Sequence, residues 1–175
     1  MDKDAQQNSN EWRKEAALLL SSQLMLEYNA FYFYSACAAH FDDPSVCLQG
    51  LASFFKKSLL EENEHAQKII KFMNMRQLKI SFRAMEAPDI KKYGTPSSVL
   101  KASKEFEESV LDNIETIYNI ASKIGDASIT QFLDEFVAEQ VRSISELNDM
   151  WVNCMRCGDD GMGLFIFDQS LLQKD

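Results

Sequence analysis

A glutamate and a histidine three residues apart, Glu62 and His65, lie within a long amphipathic stretch of the sequence. Residues at this spacing share one face of a helix, so both side chains can reach the same pocket. A carboxylate has two oxygens that can bridge two cations, while an imidazole nitrogen can hold one of them. The pair therefore indicates a metal site, and the residue types suit more than one ion.

Three other segments carry a polar residue inside an otherwise apolar helical stripe. Read at alternating steps of three and four, the interruptions are Glu27, Glu107 and Gln140. Burying an unpaired carboxylate costs several kcal/mol even after relaxation, so coincident interruptions in four segments need a common compensation. A bound cation would supply that compensation.

Each residue also has a simpler explanation when it is considered alone. Glu27 or Glu107 would face solvent if the helical phase were shifted by one position. A single His65 would more often be a hydrogen-bonded core histidine, and Tyr34 a buried aromatic with a solvated hydroxyl. The shared pattern favours the metal interpretation, because the phase error would have to recur in all four segments.

The ligand types favour iron over zinc. Carboxylates with a single imidazole suit Fe(II) and Fe(III) and leave coordination positions open for oxygen or water. Among the four cysteines, only Cys154 and Cys157 have a recognisable spacing, and no second Cys or His pair completes a zinc site. We expect Cys37, Cys47, Cys154 and Cys157 to be reduced thiols.

Helices are the elements that must position these side chains. The 175 residues are 46% hydrophobic, which suffices for one buried core. All three prolines fall between the periodic segments, where proline avoids the cost of about 3 kcal/mol that it has inside a helix. The predicted helices cover residues 11–41, 45–76, 97–124 and 127–156, with a short fifth at 163–172.

Connection lengths predict how the helices are arranged. Tight turns at residues 41–44 and 125–126 make the first and second helices antiparallel neighbours, as they do the third and fourth. The connection from Gln77 to Pro96 is long enough to run along the bundle. The sequence therefore predicts an all-α fold: one domain over residues 1–175, an antiparallel four-helix bundle with one long crossover and a short C-terminal helix. Apolar residues of the crossover are expected to pack along the bundle, namely Ile80, Phe82, Met85 and Ile90.

Charge and hydropathy limit the partners. A net charge of -9 argues against binding to a nucleic-acid backbone, which relies on Lys and Arg. No stretch is long and apolar enough for a membrane span, and the first ten residues lack an apolar signal region, so we expect a cytoplasmic protein. The very apolar segment near residues 164–172 is expected to be buried against other subunits.

The sequence resembles the ferritin family over residues 15–171. The matching strings are Leu26-Glu27, Tyr32-Phe33-Tyr34, Glu61-Glu62-Asn63-Glu64-His65-Ala66, Glu107 and Ala138-Glu139-Gln140-Val141. The resemblance implies that Glu27, Glu62 and His65 hold a first iron. It implies that Glu62 and Glu107 hold a second.

The resemblance also implies roles for residues around the two ions. Gln140 would orient the reactants by hydrogen bonding, and Tyr34 would serve as an electron donor or hydrogen-bond partner. Glu61 and Glu64 match positions that face a cavity and help to move or nucleate iron. A second Glu-x-x-His, typical of bacterioferritins, is missing because Arg142 follows Glu139 at that spacing.

The function implied by the resemblance is that of a ferritin subunit with ferroxidase activity. Such a subunit oxidises Fe(II) with oxygen or peroxide, using two iron ions per subunit. The product is stored as ferric oxyhydroxide in a hollow shell of twenty-four subunits, formed by this chain alone or with other ferritin subunits. Two alternatives stay open: a storage or assembly subunit with weak catalysis, and a non-storage di-iron oxidase of the same fold.

Overall fold

The structure of the protein, a computed structural model, describes residues 3–172. Of the predicted domain, residues 1–2 and 173–175 lie outside the described residues. The described part is helical and contains no strand. Its elements are α1 (Lys3–Asp42), α2 (Gln49–Met75), a short 3-10 helix (Ile90–Tyr93), α3 (Pro96–Ile124), α4 (Ala127–Cys157) and α5 (Gly161–Leu171). The predicted four-helix bundle with a long crossover and a fifth helix is confirmed.

Two helix boundaries differ from the prediction by several residues. α1 begins at Lys3 instead of residue 11, and α2 begins at Gln49 instead of residue 45. The residues before α2 form a turn in which the Asp43 carboxylate accepts hydrogen bonds from the Ser45 backbone and hydroxyl. Cys47 takes a positive φ of 54°, which a right-handed α-helix does not allow. This turn delays the start of α2.

The crossover packs on the bundle less than predicted. Ile90 is buried and Ile80 is half-buried, but Phe82 is 65% exposed and Met85 is 41% exposed. Leu78, which was not predicted to pack, is buried instead. The crossover is therefore fixed mainly at its two ends. Phe82 still contacts Tyr28 of α1, with 6.2 Å between the ring centroids, so the prediction was wrong only for Met85.

The apolar core is divided into two clusters. One cluster takes Ala30 to Phe41 from α1, and the other takes Ala16 to Leu24 from the same helix. α2, α3 and α4 also contribute to both clusters. In each of the four helices the break between the clusters falls at a predicted polar interruption: Glu27, Glu62, Glu107 or Gln140. The helices thus bring these four side chains to one level of the bundle.

α5 is attached to the bundle by a side chain that caps α2. Leu48, the N-cap residue of α2, makes no side-chain capping bond. The buried Asp168 of α5 supplies one, because its Oδ1 accepts a hydrogen bond of 2.9 Å from the Leu51 backbone N–H. A carboxylate at a helix N-terminus is favourable because unpaired N–H groups and the helix dipole meet there.

Close approach of α5 to α2 requires a glycine at position 50. A Cβ added to Gly50 would lie 1.9 Å from the backbone oxygen of Asp168. Gly50→Ala should therefore detach α5 and destabilise the protein, although alanine inside a helix normally stabilises by about 1 kcal/mol. We expect a lower melting temperature and faster chymotrypsin cleavage after Phe167, with Ser53→Ala as the control in the same helix. A higher melting temperature with unchanged cleavage would contradict the assignment.

Candidate metal centre

Four helices place the predicted site residues in the interior of the bundle. α1 contributes Glu27, α2 contributes Glu62 and His65, α3 contributes Glu107 and α4 contributes Gln140. The exposed fractions are 1% for Glu27, 6% for Glu62, 2% for Glu107 and 4% for Gln140. Neither Glu27 nor Glu107 faces solvent, so the alternative of a shifted helical phase is wrong.

Glu27, Glu62 and His65 form the compact part of the site. Each offers one ligand atom, and these three atoms lie within 4.8 Å of one another. His65 Nδ1 is 3.4 Å from Glu62 Oε2 and 3.7 Å from Glu27 Oε2. Such separations allow one cation to contact all three groups after small side-chain movements.

One oxygen of Glu27 lacks a hydrogen-bond partner. Among the described residues, Glu27 Oε2 is the buried side-chain oxygen or nitrogen that accepts or donates no hydrogen bond. Leaving a buried charged acceptor unsatisfied costs about 1–3 kcal/mol or more. This oxygen is also the one that lies near His65 Nδ1. A hard cation bound there would remove the cost, and carboxylate oxygens with an imidazole suit iron.

Glu107 is outside this compact group, and both oxygens of its carboxylate accept hydrogen bonds. Tyr34 donates its hydroxyl hydrogen to Glu107 Oε1, and the Gln140 amide donates to Glu107 Oε2. The same amide donates a 3.1 Å hydrogen bond to the Glu107 backbone oxygen. The structure therefore places Tyr34, Glu107 and Gln140 together as a hydrogen-bonded set beside the other three residues.

Burial dominates the electrostatics of the site. It raises the pKa of Glu62 well above its usual value, and the charges of Glu107 and Glu27 add to this effect. Burial also raises the pKa of Glu107 to about 7, although hydrogen bonds from Tyr34 and Gln140 oppose the shift. The pKa of Tyr34 rises well above 10 because the hydroxyl is buried beside Glu107.

The neighbouring carboxylates act in the opposite direction on His65. Burial alone would lower the pKa of His65, but the neighbouring Glu27 and Glu62 carboxylates outweigh it and raise the pKa to about 11. The site therefore stabilises a positive charge at the position of the imidazole. A metal cation would replace the proton in that role.

The structure adds Glu139, which was not predicted as a site residue. Its Oε2 lies 2.9 Å from His65 Nε2, and Lys68 Nζ lies 3.6 Å from the other carboxylate oxygen. A metal-binding histidine commonly donates its second ring N–H to a carboxylate, which fixes the ring orientation. The available signal was weak, since Glu139 stands out only as an acid next to Gln140.

The structure also adds a buried amide on α1. Gln23 is fully buried and donates a 2.6 Å hydrogen bond to Glu27 Oε1. Asn113 of α3 in turn donates a 2.6 Å hydrogen bond to Gln23 Oε1. The position of Gln23 four residues before Glu27, on the same helical face, was the signal that could have identified it.

Glu61 and Glu64 lie outside the buried group. Both are exposed on α2, and they line a surface pocket of about 400 Å³ together with His65 and Glu139. The nearest cation to Glu61 is Lys57, at 4.0 Å. The six predicted metal-binding residues thus divide into a buried set of four and a surface pair at the pocket. The four cysteines are free, as predicted.

Comparison with known proteins decides the family. The family model described as Ferritin, a ferritin-like domain, matches residues 17–157. The chain belongs to the ferritin family. It is 35% identical over 156 residues to the ferritin of Pacifastacus leniusculus, covering 89% of this chain and 86% of the relative.

Two further relatives span different sources. Soma ferritin of Lymnaea stagnalis is 34% identical over 164 residues, covering 93% of this chain and 94% of the relative. Ferritin-3, chloroplastic, of Glycine max is 32% identical over 161 residues, covering 89% of this chain and 62% of the relative. As a ferritin subunit, the chain is an iron-storage protein. Within residues 3–172, every helix is too short or too polar to cross a membrane.

Cation binding at this ferritin site should release protons, and more of them at acidic pH. Because the pKa of Glu107 is about 7, this carboxyl keeps its proton at a pH near 6 and has lost it near pH 8. Co²⁺ titration calorimetry in buffers of different ionisation enthalpy should show more protons released at the lower pH. Glu107→Gln should reduce that difference, whereas the exposed Glu105→Gln should preserve it. Equal proton release at both pH values would contradict the shifted pKa.

Proposed function

We propose that this ferritin subunit is a ferroxidase, which oxidises Fe(II) before the iron is stored. The observation that carries the proposal is the unsatisfied Glu27 Oε2, which converges with Glu62 and His65 in the interior of the bundle. Iron is the substrate at this site. The first Fe(II) would be held by these three side chains, where it offsets their buried charge.

The second Fe(II) would require Glu107. The two oxygens of Glu62 allow it to bridge both ions, and Glu107 would complete the second position by exchanging a hydrogen bond for the metal. Tyr34 and Gln140, which donate those hydrogen bonds, are placed to hold Glu107 and to bond with oxygen species near the metal. This position is weaker than the first, because binding must displace existing hydrogen bonds.

The electron and proton balance follows from the substrates. Each of two Fe(II) ions gives one electron, and O₂ takes both electrons and two protons to form hydrogen peroxide. Peroxide can accept two electrons in the same way and form water. The oxidised iron then hydrolyses to ferric oxyhydroxide, which releases protons. Glu61 and Glu64, at the pocket outside His65, are proposed to receive or pass on the iron.

We further propose that the chain forms one domain and assembles into a shell of twenty-four copies in the cytoplasm, alone or with other ferritin subunits. Support for assembly comes from α5, where Met162, Phe165 and Ile166 are 71%, 57% and 58% exposed in the single chain. Contiguous apolar side chains of this kind favour burial against another subunit. Gel filtration tests the shell, which should elute at hundreds of kilodaltons instead of near 20.0 kDa.

A storage subunit with weak catalysis is the second candidate. It is favoured by the hydrogen bonds that occupy both oxygens of Glu107, since they oppose binding of a second ion. In that case the chain would assemble normally but oxidise Fe(II) slowly. A non-storage di-iron oxidase would instead elute as a small protein.

Replacing Glu62 and His65 together should abolish rapid oxidation. In the Glu62→Gln, His65→Gln double variant, neither a bridging carboxylate nor an imidazole remains for the first iron. Aerobic Fe(II) addition, followed by the absorbance of the ferric product, should then proceed at the rate of buffer alone. The starting protein should be faster by a factor of at least about 100, as expected for loss of a metal ligand set.

The matched control replaces the same residue types away from the site. The control variant is Glu105→Gln with His40→Gln. Glu105 is exposed and pairs with Lys101, and His40 lies near the end of α1 beside Phe41. This control should oxidise Fe(II) at the rate of the starting protein. Equal rates in the site variant and the control would sink the ferroxidase proposal, provided that both elute as shells.

A further inference from the structure

Two linked side-chain amides, Gln23 and Asn113, determine which oxygen of Glu27 faces the metal site. We call their hydrogen bonds the amide chain. Gln23 is 0% exposed and lies one helical turn before Glu27 on α1. Its Nε2 donates a 2.6 Å hydrogen bond to Glu27 Oε1. The other oxygen, Oε2, accepts no hydrogen bond and lies 3.7 Å from His65 Nδ1. One oxygen is therefore occupied by the protein, and the other is left for a ligand.

Asn113 fixes the direction of this chain from a second helix. Its Nδ2 donates a 2.6 Å hydrogen bond to Gln23 Oε1, so the amide oxygen of Gln23 is engaged on the side away from Glu27. An amide can otherwise rotate by half a turn and exchange its donor and acceptor ends. With Asn113 donating to the oxygen, the NH₂ group of Gln23 must face Glu27.

We propose that Gln23 and Asn113 are positioning residues that make Glu27 a one-oxygen ligand for the first iron. This inference rests on the proposed ferroxidase function. Gln23 holds Oε1, which leaves Oε2 as the oxygen directed at His65 and the cation. Asn113 keeps the Gln23 donor directed at Glu27. Neither residue needs to contact the metal.

The physical basis is the cost of reorientation in a buried site. If Gln23 turned around, its oxygen would face Glu27 Oε1, and two buried acceptors would oppose each other without a hydrogen between them. A single anchored oxygen also leaves more coordination positions at the iron for Glu62, His65 and oxygen species. The amide chain therefore affects both the affinity of the site for the ion and the coordination number of the bound ion.

The test uses Co²⁺, a redox-inert probe, and the assembled full-length protein. Gln23→Met removes the donor at similar side-chain length. Asn113→Asp replaces an amide donor with a carboxylate acceptor. The Gln23 NH₂ group should therefore turn toward the carboxylate at position 113 and away from Glu27. The exposed Asn119→Asp on α3 is the matched control, because it adds the same charge away from this chain. Calorimetry gives the affinity, and the visible absorption of Co²⁺ reports its coordination.

Gln23→Met should weaken Co²⁺ binding by about 10- to 100-fold, the range for loss of a group that orients a metal ligand. Asn113→Asp should also weaken Co²⁺ binding at a pH near 8, where an aspartate is ionised. Both variants should change the Co²⁺ absorption, a property that a general loss of stability would not alter. Asn119→Asp should leave both affinity and absorption unchanged.

Three other outcomes overturn different statements. Unchanged affinity and absorption in both Gln23→Met and Asn113→Asp would refute the positioning role, while the ferroxidase proposal would stand. An effect in Gln23→Met alone would show that Asn113 has no positioning role. If the starting protein bound Co²⁺ no better than the Glu62→Gln, His65→Gln variant, the proposed metal site itself would be refuted. Melting curves and gel filtration identify any variant that fails to fold, and the remaining variant then decides.

Discussion

Desolvation of three carboxylates dominates the energetics at the centre of this bundle. Glu27, Glu62 and Glu107 are each at least nine-tenths buried, and the pKa values of Glu62 and Glu107 are raised mainly because water is excluded. Two apolar clusters lie on either side of this level and prevent solvent from relieving the charge. The fold therefore maintains an electrostatic cost that a cation offsets, and the same apolar packing that stabilises the helices strengthens attraction for that cation.

The three carboxylates accept different numbers of hydrogen bonds from the protein. Glu107 accepts hydrogen bonds at both oxygens, from Tyr34 and Gln140. Glu27 accepts one at a single oxygen, while Glu62 faces His65 without a close neutral donor of its own. The number of protein donors therefore falls from Glu107 to Glu27, and the readiness to bind a cation should rise in the same order. This gradient supports a first iron position that is preformed and a second that must be opened.

Helical periodicity was sufficient to predict the fold and the buried site level. The four apolar stripes and the apolar C-terminal segment predicted the five helices, and the connection lengths predicted how the first four pair. The same periodicity placed Glu27, Glu62, Glu107 and Gln140 inside, since each sits at a stripe position. It could not place Met85, because a crossover without regular structure has no fixed face. The start of α2 was also missed, since the turn depends on local hydrogen bonds of Asp43.

Two of the residues that periodicity missed, Glu139 and Asn113, have their partners on other helices. Glu139 acquires its importance from His65 on α2, and Asn113 from Gln23 on α1. Such contacts depend on the axial offset and rotation between two helices, which a repeat within one helix does not contain. The ligand set and Gln23 follow from one-helix patterns, whereas Asn113 and Glu139 follow from packing between helices. Substitutions at Gln23 and Asn113 should therefore tune a ferritin site without altering the strings by which the family resemblance is detected, because neither residue belongs to those strings.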